Sequence, residues 1–166
     1  MFTCSHATTH KKTQIIQICS KHQSINMLTN TVIFTDQVIL KYKDINLHAD
    51  KMLISHTKDI HHLSVIEAHG KPAILNQTQE NTENTIFAQS LIIYYSTNDD
   101  TITFIGNAYI EQSGNSIKSD KIIYSIKKKQ IKAISNQGNK VITTLLANQS
   151  KNIFNVHYII NSNLIE

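Results

Sequence analysis

Thr31-Val32-Ile33-Phe34-Thr35-Asp36-Gln37-Val38-Ile39-Leu40 decides the fold class. Val32, Phe34, Val38 and Leu40 share one parity, interrupted by the turn-like pair Asp36-Gln37. Alternation with period two puts such side chains on one face of a strand, whereas a helix needs apolar positions three and four apart. The pattern returns from Ile102 to Ile110, broken at Gly106-Asn107. Ile16 and Ile18 alternate with Gln14 and Gln17 more loosely, because Ile15 intervenes. Leu91-Ile92-Ile93-Tyr94-Tyr95 is apolar on both faces, and its inward parity is not legible. No long window carries a helical stripe with caps, although Ser20, Ser24 and Asn26 would allow a short helical turn near the N-terminus.

Composition agrees. Among 166 residues there are 28 Ile against 5 Phe, 6 Tyr and no Trp. β-branched side chains fit a pleated surface and lose rotamer freedom in helices. All 16 basic residues are Lys, as expected of an AT-rich genome. A net charge of +4 and the absence of Arg argue against base reading in nucleic acid, while leaving room for an anionic ligand. No stretch approaches the ~20 apolar residues of a membrane helix. Residues 1–13 contain two Lys and no apolar run, so no signal peptide is read there. Cys4 falls in that polar segment, and no structural disulfide with Cys19 is expected.

Turn signals recur at Thr29-Asn30, Asp36-Gln37, Lys43-Asp44, Gly70-Lys71-Pro72, Asn81 to Asn84, Asn98 to Asp100, Gly106-Asn107, Gly114-Asn115 and Gln137 to Asn139. Short strands at that spacing predict a sandwich, barrel or roll. A shift of 70 residues aligns Thr31 to Ser55 with Thr101 to Ser125 without a gap. Thr31/Thr101, Phe34/Phe104, Asp50/Asp120, Lys51/Lys121 and Ser55/Ser125 are identical, and most apolar positions keep their character. A repeated β-unit implies layers that bury their apolar faces against neighbours and end in unpaired edges. The expected organisation is a disordered tail at 1–12, a β domain at 13–146, and a tail or extra strand at 147–166.

Residues that could carry chemistry are few. His56, His61, His62 and His69 cluster without a common ligand spacing, and no metal or cofactor is expected. Asp50 and Asp120 could form a carboxylate pair, but Asp at a corner more often bonds its own backbone. Lys127-Lys128-Lys129 reads as a solvated hairpin tip that also discourages aggregation, with lipid phosphate as the other use. No nucleophile elbow, P-loop or dinucleotide fingerprint is present. The chain is therefore not expected to be an enzyme.

Several segments, in order, resemble the LptA/OstA family. Phe34 to Val38 and Phe104 to Tyr109 are similar to its F-x-G-N-[VA] repeats, with Asp36 where Gly is usual. His48-Ala49-Asp50-Lys51 and Lys118-Ser119-Asp120-Lys121 resemble its A/G-D-K corners. His69 to Ala73 resembles its Y-G-K-P-A segment, and Ser135 to Val141 its S-D-K-G-K-R-V segment. The resemblance covers about Thr13 to Leu146. It implies an all-β, open, twisted antiparallel β-jellyroll of the OstA kind, and a periplasmic role bridging lipopolysaccharide from the inner to the outer membrane. Implied partners are lipopolysaccharide through its lipid A, an LptC-like inner-membrane protein, an LptD-like outer-membrane protein, and further copies of the chain joined head to tail. Lipid contact is implied at Ile16, Ile18 and Leu75, and Phe34 and Phe104 join them as candidates. Gln14, Ile16 and Ile18 are expected on one assembly edge, and Val141, Thr143 and Leu145 on the other. Other readings are a sibling domain like LptC or the amino-terminal part of LptD, a carbohydrate-active β-roll enzyme, and a structural β-filament module.

Overall fold

Alternating Ile, Val, Phe and Tyr persist for eleven residues or more in six stretches, and each stretch becomes one long strand. The computed structural model describes residues 15–56, 63–78 and 85–147, and every regular element among them is a strand. These are β1 (Gln17–Cys19), β2 (His22–Asn26), β3 (Thr31–Tyr42), β4 (Ile45–His56), β5 (Leu63–Thr78), β6 (Thr85–Ser96), β7 (Thr101–Gln112), β8 (Asn115–Ser125), β9 (Gln130–Ile134) and β10 (Ile142–Thr144). All belong to one antiparallel sheet of order β1-β3-β4-β5-β6-β7-β8-β10, with β2 also on β3 and β9 also on β8. The sheet is open, as expected for the jellyroll. Residues 1–12 and 148–166 lie outside the described residues.

A sheet with one apolar face has to cover it, and this one covers itself. Each long strand breaks register near its middle: between Thr35 and Val38 on β3, His48 and Lys51 on β4, His69 and Ala73 on β5, Gln89 and Ile92 on β6, and Ile105 and Ala108 on β7. The breaks stand side by side and crease the sheet from edge to edge. Asp36-Gln37 lie opposite Asp50 alone, and Gly106-Asn107 opposite Asp120 alone. Two residues against one is a β-bulge, which bends the strand that carries it. Both pairs have left-handed backbone, at φ of +65° and +55° for Asp36 and Gln37 and +81° and +49° for Gly106 and Asn107. Gly, Asn and Asp tolerate that region, which explains how Asp36 replaces the usual Gly. β5 bends at Gly70-Lys71-Pro72, where a Cβ on Gly70 would come within 2.4 Å of the Ala73 nitrogen.

The crease corrects two sequence readings. Asp36-Gln37, Gly70-Lys71-Pro72 and Gly106-Asn107 are bends inside long strands, not turns between short ones, because the hydrogen-bonded ladder resumes on the same neighbour beyond each of them. No helical turn forms at Ser20 to Asn26, where pairing with β3 holds β2 extended. Asn26 instead shapes the next turn, its Oδ1 accepting from Leu28 N at 3.0 Å and Thr29 N at 3.2 Å.

Inward parity changes across the crease on some strands and not on others. β3 buries Phe34 and then Val38, and β7 buries Phe104 and then Ala108, keeping parity. β4 steps from Ala49 to Met52, β6 from Ser90 to Ile93, and β8 from Ser119 to Ile122, and all three switch. Along the inside of the crease the side chains are small: Ala49, Ala73, Ser90, Ala108 and Ser119 are all buried. Small residues let the two halves of the sheet approach at the fold, and the larger Ile, Leu, Phe and Met fill the space beyond it. The 70-residue repeat is realised in the pairing, since Thr31↔Ser55 and Leu40↔Leu47 on β3–β4 recur as Thr101↔Ser125 and Ile110↔Ile117 on β7–β8.

The two crease glycines should differ in cost when substituted. At Gly106 a Cβ meets the Leu91 side chain at 2.9 Å and the backbone is left-handed. Gly106→Ala should therefore destabilise by about 1–3 kcal/mol. Gly70→Ala should cost more, because its Cβ would strike backbone atoms that cannot swing aside. Urea unfolding of both variants checks the order.

Candidate functional site

Cross-strand neighbours on the inner face line up in rows that run the width of the sheet. In one half the row is Phe34, Met52, Ala68, Ile93, Phe104, Ile122 and Ala133. Beside it runs Ile25, Val32, Ile54, Ile66, Tyr95, Ile102, Tyr124 and Ile131. The facing half carries Ile18, Leu40, Leu47, Leu75, Ala88, Ile110, Ile117 and Thr143. The candidate lipid-contacting residues thus fall on facing walls of one interior. Phe34 and Phe104 share a row in the first half, and Ile18 and Leu75 share a row in the second. Ile16 packs half-buried against the same core just before β1. Phe34, Leu75 and Phe104 are buried in this structure and belong to one hydrophobic core.

Near the turns of the second half, the inner face becomes polar. Tyr42, Ile45, Gln77, Ile86, Gln112 and Asn115 form its last row. Gln77 and Asn115 are nearly as buried as the core, and Gln77 Nε2 donates to Asp44 Oδ2 at 2.9 Å. Sequence reading missed these amides, because Gln and Asn at strand ends look like turn residues. Burial, with the Asp100 carboxylate nearby, pushes the Tyr95 and Tyr124 phenols up to about 12.

Among the described residues, β1 with β2 and β10 with β9 form the two outer edges of the sheet. On the N-terminal side, β1 carries the candidate Ile18 and Ile16 directly precedes it, while Gln14 lies outside the described residues. β2 continues the same edge, and the sequence reading did not anticipate it. On the C-terminal side Thr143 lies on β10, flanked by exposed Val141 and Leu145, and β9 extends that edge too. A loop from Ser135 to Val141 joins β9 to β10, held by β8. Asp120 Oδ2 accepts from Asn136 N at 2.6 Å, and Asn139 Nδ2 donates to both Asp120 oxygens at 3.1 Å. Asn115 Oδ1 accepts from Leu146 N at 2.9 Å. Asp120 therefore binds a loop sixteen residues on rather than its own corner, correcting the sequence expectation. Those bonds, Asn136 first and Asn139 second, hold its carboxyl below the usual carboxylate range.

The remaining candidates do not assemble into a reacting centre. Asp50 is on β4 and Asp120 on β8, four strand spacings apart, roughly 19 Å along the sheet. Glycosidase carboxylates stand about 5–9.5 Å apart. His61 and His62 lie outside the described residues, His69 pairs with Glu67, and no group of three metal-ligating side chains occurs among the described residues. Cys19 is a free, exposed thiol, and Cys4 lies outside the described residues. The Lys127-Lys128-Lys129 run sits, as read, on the exposed β8–β9 turn.

What stands out is an open β-jellyroll with an apolar interior reaching from one free edge to the other. Comparison with known proteins places this architecture. The profile described as LptA/(LptD N-terminal domain) LPS transport protein matches residues 17–130. The lipopolysaccharide export system protein LptA of Escherichia coli K12 is 34% identical over 143 residues, covering 86% of this chain and 77% of that one. Its Haemophilus influenzae namesake is 29% identical over 137 residues, with 82% and 79% covered. The crystal structure of LptH, the LptA-homologous periplasmic component of the lipopolysaccharide transport device of Pseudomonas aeruginosa, superposes with a TM-score of 0.70 at 18% identity. It covers 80% of this chain and 96% of that one, and it bears out the fold. The chain belongs to the LptA family of lipopolysaccharide transport proteins. That family transports and does not catalyse, in line with the sequence reading.

Two titrations test the interior and the clamp. Raised phenol values mean that Tyr95 and Tyr124 stabilise the fold fully below pH 10, and that this contribution is lost as pH climbs through about 12. Tyrosinate absorbance for these two should therefore appear together with unfolding, and Tyr124→Phe should shrink the alkaline loss of stability. The lowered Asp120 value has the opposite sense: its contribution is present above the ordinary carboxylate range and disappears as acid protonates it. Asp120→Ala should speed amide exchange at Asn136 at neutral pH, and the native chain should show the same change only in acid.

Proposed function

We propose that the protein carries lipopolysaccharide across the periplasm, from an LptC-like protein of the inner membrane to an LptD-like protein of the outer membrane. Copies of the chain would join edge to edge. The carrying observation is the row Ile18, Leu40, Leu47, Leu75, Ala88, Ile110, Ile117 and Thr143, apolar from one free edge almost to the other. Each methylene moved from water into such a surface gains about 0.8 kcal/mol, so a lipid with several acyl chains needs continuous shelter on an aqueous journey. Apolar contacts have no preferred direction, which lets a chain slide from one position to the next without breaking oriented bonds.

The inner faces of the sheet form one buried core. Acyl chains enter by parting them, and lipid contacts then replace the wall-to-wall contacts that are lost. The phosphates and sugars of the ligand are polar and belong at the amide rim of Gln77, Gln112 and Asn115 or outside it. Free edges are normally an aggregation hazard that proteins blunt. On a bridge they are the means of joining, by strand addition.

Truncating an inner residue is a poor test, since Phe104→Ala alone would cost about 3–5 kcal/mol of stability. A photo-reactive benzoyl-phenylalanine at Ile16, Ile18 or Leu75 should instead give an adduct with purified lipopolysaccharide. The same residue at Lys41 or Lys118, which are exposed on the outer face, should give none. Absence of adducts at all three inward positions would overturn the reading.

A further inference from the structure

Gln77 is an inward side chain that the protein satisfies only by half. Ala73, Leu75 and Gln77 are the buried positions of β5 beyond the crease, and Gln77 is only 4% exposed although it is polar. Its partners across the two neighbouring strands are Ile45 and Ile86, so aliphatic side chains border it on both sides. Along β5 the next inward residue is Leu75, about 7 Å away, in the apolar row of Leu40, Leu47 and Ala88.

A glutamine amide offers two N–H donors and one carbonyl acceptor. Gln77 Nε2 donates to Asp44 Oδ2 at 2.9 Å. A carboxylate only accepts, so turning the amide over would set two acceptors against each other. The contact with Asp44 therefore fixes which end of the amide is which. The carbonyl oxygen Oε1 is left on the other side, buried, with no donor of the protein in reach. A buried acceptor of this kind opposes folding and gives nothing back within the protein itself, where an aliphatic side chain would fill the same place at lower cost.

We infer that Gln77 Oε1 accepts a hydrogen bond from a hydroxyl at the root of an aliphatic chain whose carbons lie along the row of Leu40, Leu47, Leu75 and Ala88. The inference rests on the carrier reading above and adds to it a point of polar recognition. Gln77 is the binding residue and Asp44 the positioning residue. Chain and hydroxyl fall on adjacent rows of one wall, within the reach of a single amphiphile. An ether or ester oxygen in the same place would meet Oε1 acceptor to acceptor and be disfavoured. One neutral hydrogen bond orients such a ligand without anchoring it, which is compatible with sliding.

Dodecanol and dodecyl methyl ether carry the same chain and differ in the donor. Each would compete with the apolar fluorophore N-phenylnaphthylamine for the full chain, with glucose as a source of hydroxyls lacking a chain. A purely apolar slot favours the ether, which has one more methyl group. The unaltered protein should instead favour the alcohol about tenfold, the effect of one buried hydrogen bond to an unpaired acceptor. Glucose should displace nothing. Gln77→Met keeps the length of the side chain and removes the carbonyl, so the preference should fall to parity or reverse while the ether binds as before. Gln77→Asn, one methylene shorter, should lose most of the preference too, and guards against a folding defect in the first variant. If Gln77 serves folding alone, alcohol and ether will weaken together and their ratio will not change. That result, or an unaltered protein that favours the ether, would overturn the inference and leave the carrier reading standing. A chain that takes up neither amphiphile and forms no photo-adduct with lipopolysaccharide would overturn both.

Discussion

A single sheet that must bury one of its own faces is the constraint on which this structure rests. No second sheet and no helix is present among the described residues to cover it, so the sheet has to fold across its own width. Odd-numbered strands supply the bend by carrying more residues through the crease than their neighbours. β3 and β7 do so with left-handed pairs against a single Asp, and β5 does so with Gly70-Lys71-Pro72. Everything inward follows from that. Small side chains occupy the crease, large ones lie beyond it, and hydrophobic burial holds the halves together without any bond that names a partner.

On the carrier reading proposed above, the core is also the cargo surface. In most proteins the residues that stabilise the fold and those that bind ligand are separate sets; the proposed function makes them coincide in the buried Phe34, Leu75 and Phe104. A surface of this kind trades apolar contacts within the protein for equivalent contacts with lipid, and the exchange is close to balanced because hydrophobic contact depends on area more than on shape. A carrier that has to accept and release its load many times needs that balance. The buried amides at one rim then give the interior a polarity gradient.

Much of this was legible in the sequence. Period-two alternation gave the strands, Phe34 and Phe104 were correctly paired by the repeat, and the ordered motifs led to the family and its fold. The bends were not legible, because a left-handed pair inside a strand and a turn between strands use the same residues, Gly, Asn and Asp. Hence the sequence offers Asp36-Gln37 only as a turn signal. Inward parity of Leu91 to Tyr95 was unreadable for a related reason: β6 switches parity between Ser90 and Ile93, which no local alternation can signal. β2 and β9, short and nearly all polar or mixed, carry too little apolar signal to be recognised without their neighbours. The Asp120 clamp depends on a loop that pattern reading treats as an unstructured connection.

Each free edge comes in two short pieces set at an angle, β1 with β2 and β9 with β10. A stray extended peptide can lie along one piece, but three or five residues of ladder are too few to hold it. Only a strand already bent in the same place engages both pieces at once. The crease that folds the molecule therefore also cuts each edge into a two-bitted key, a shape that only a strand with the same bend can follow along its whole length.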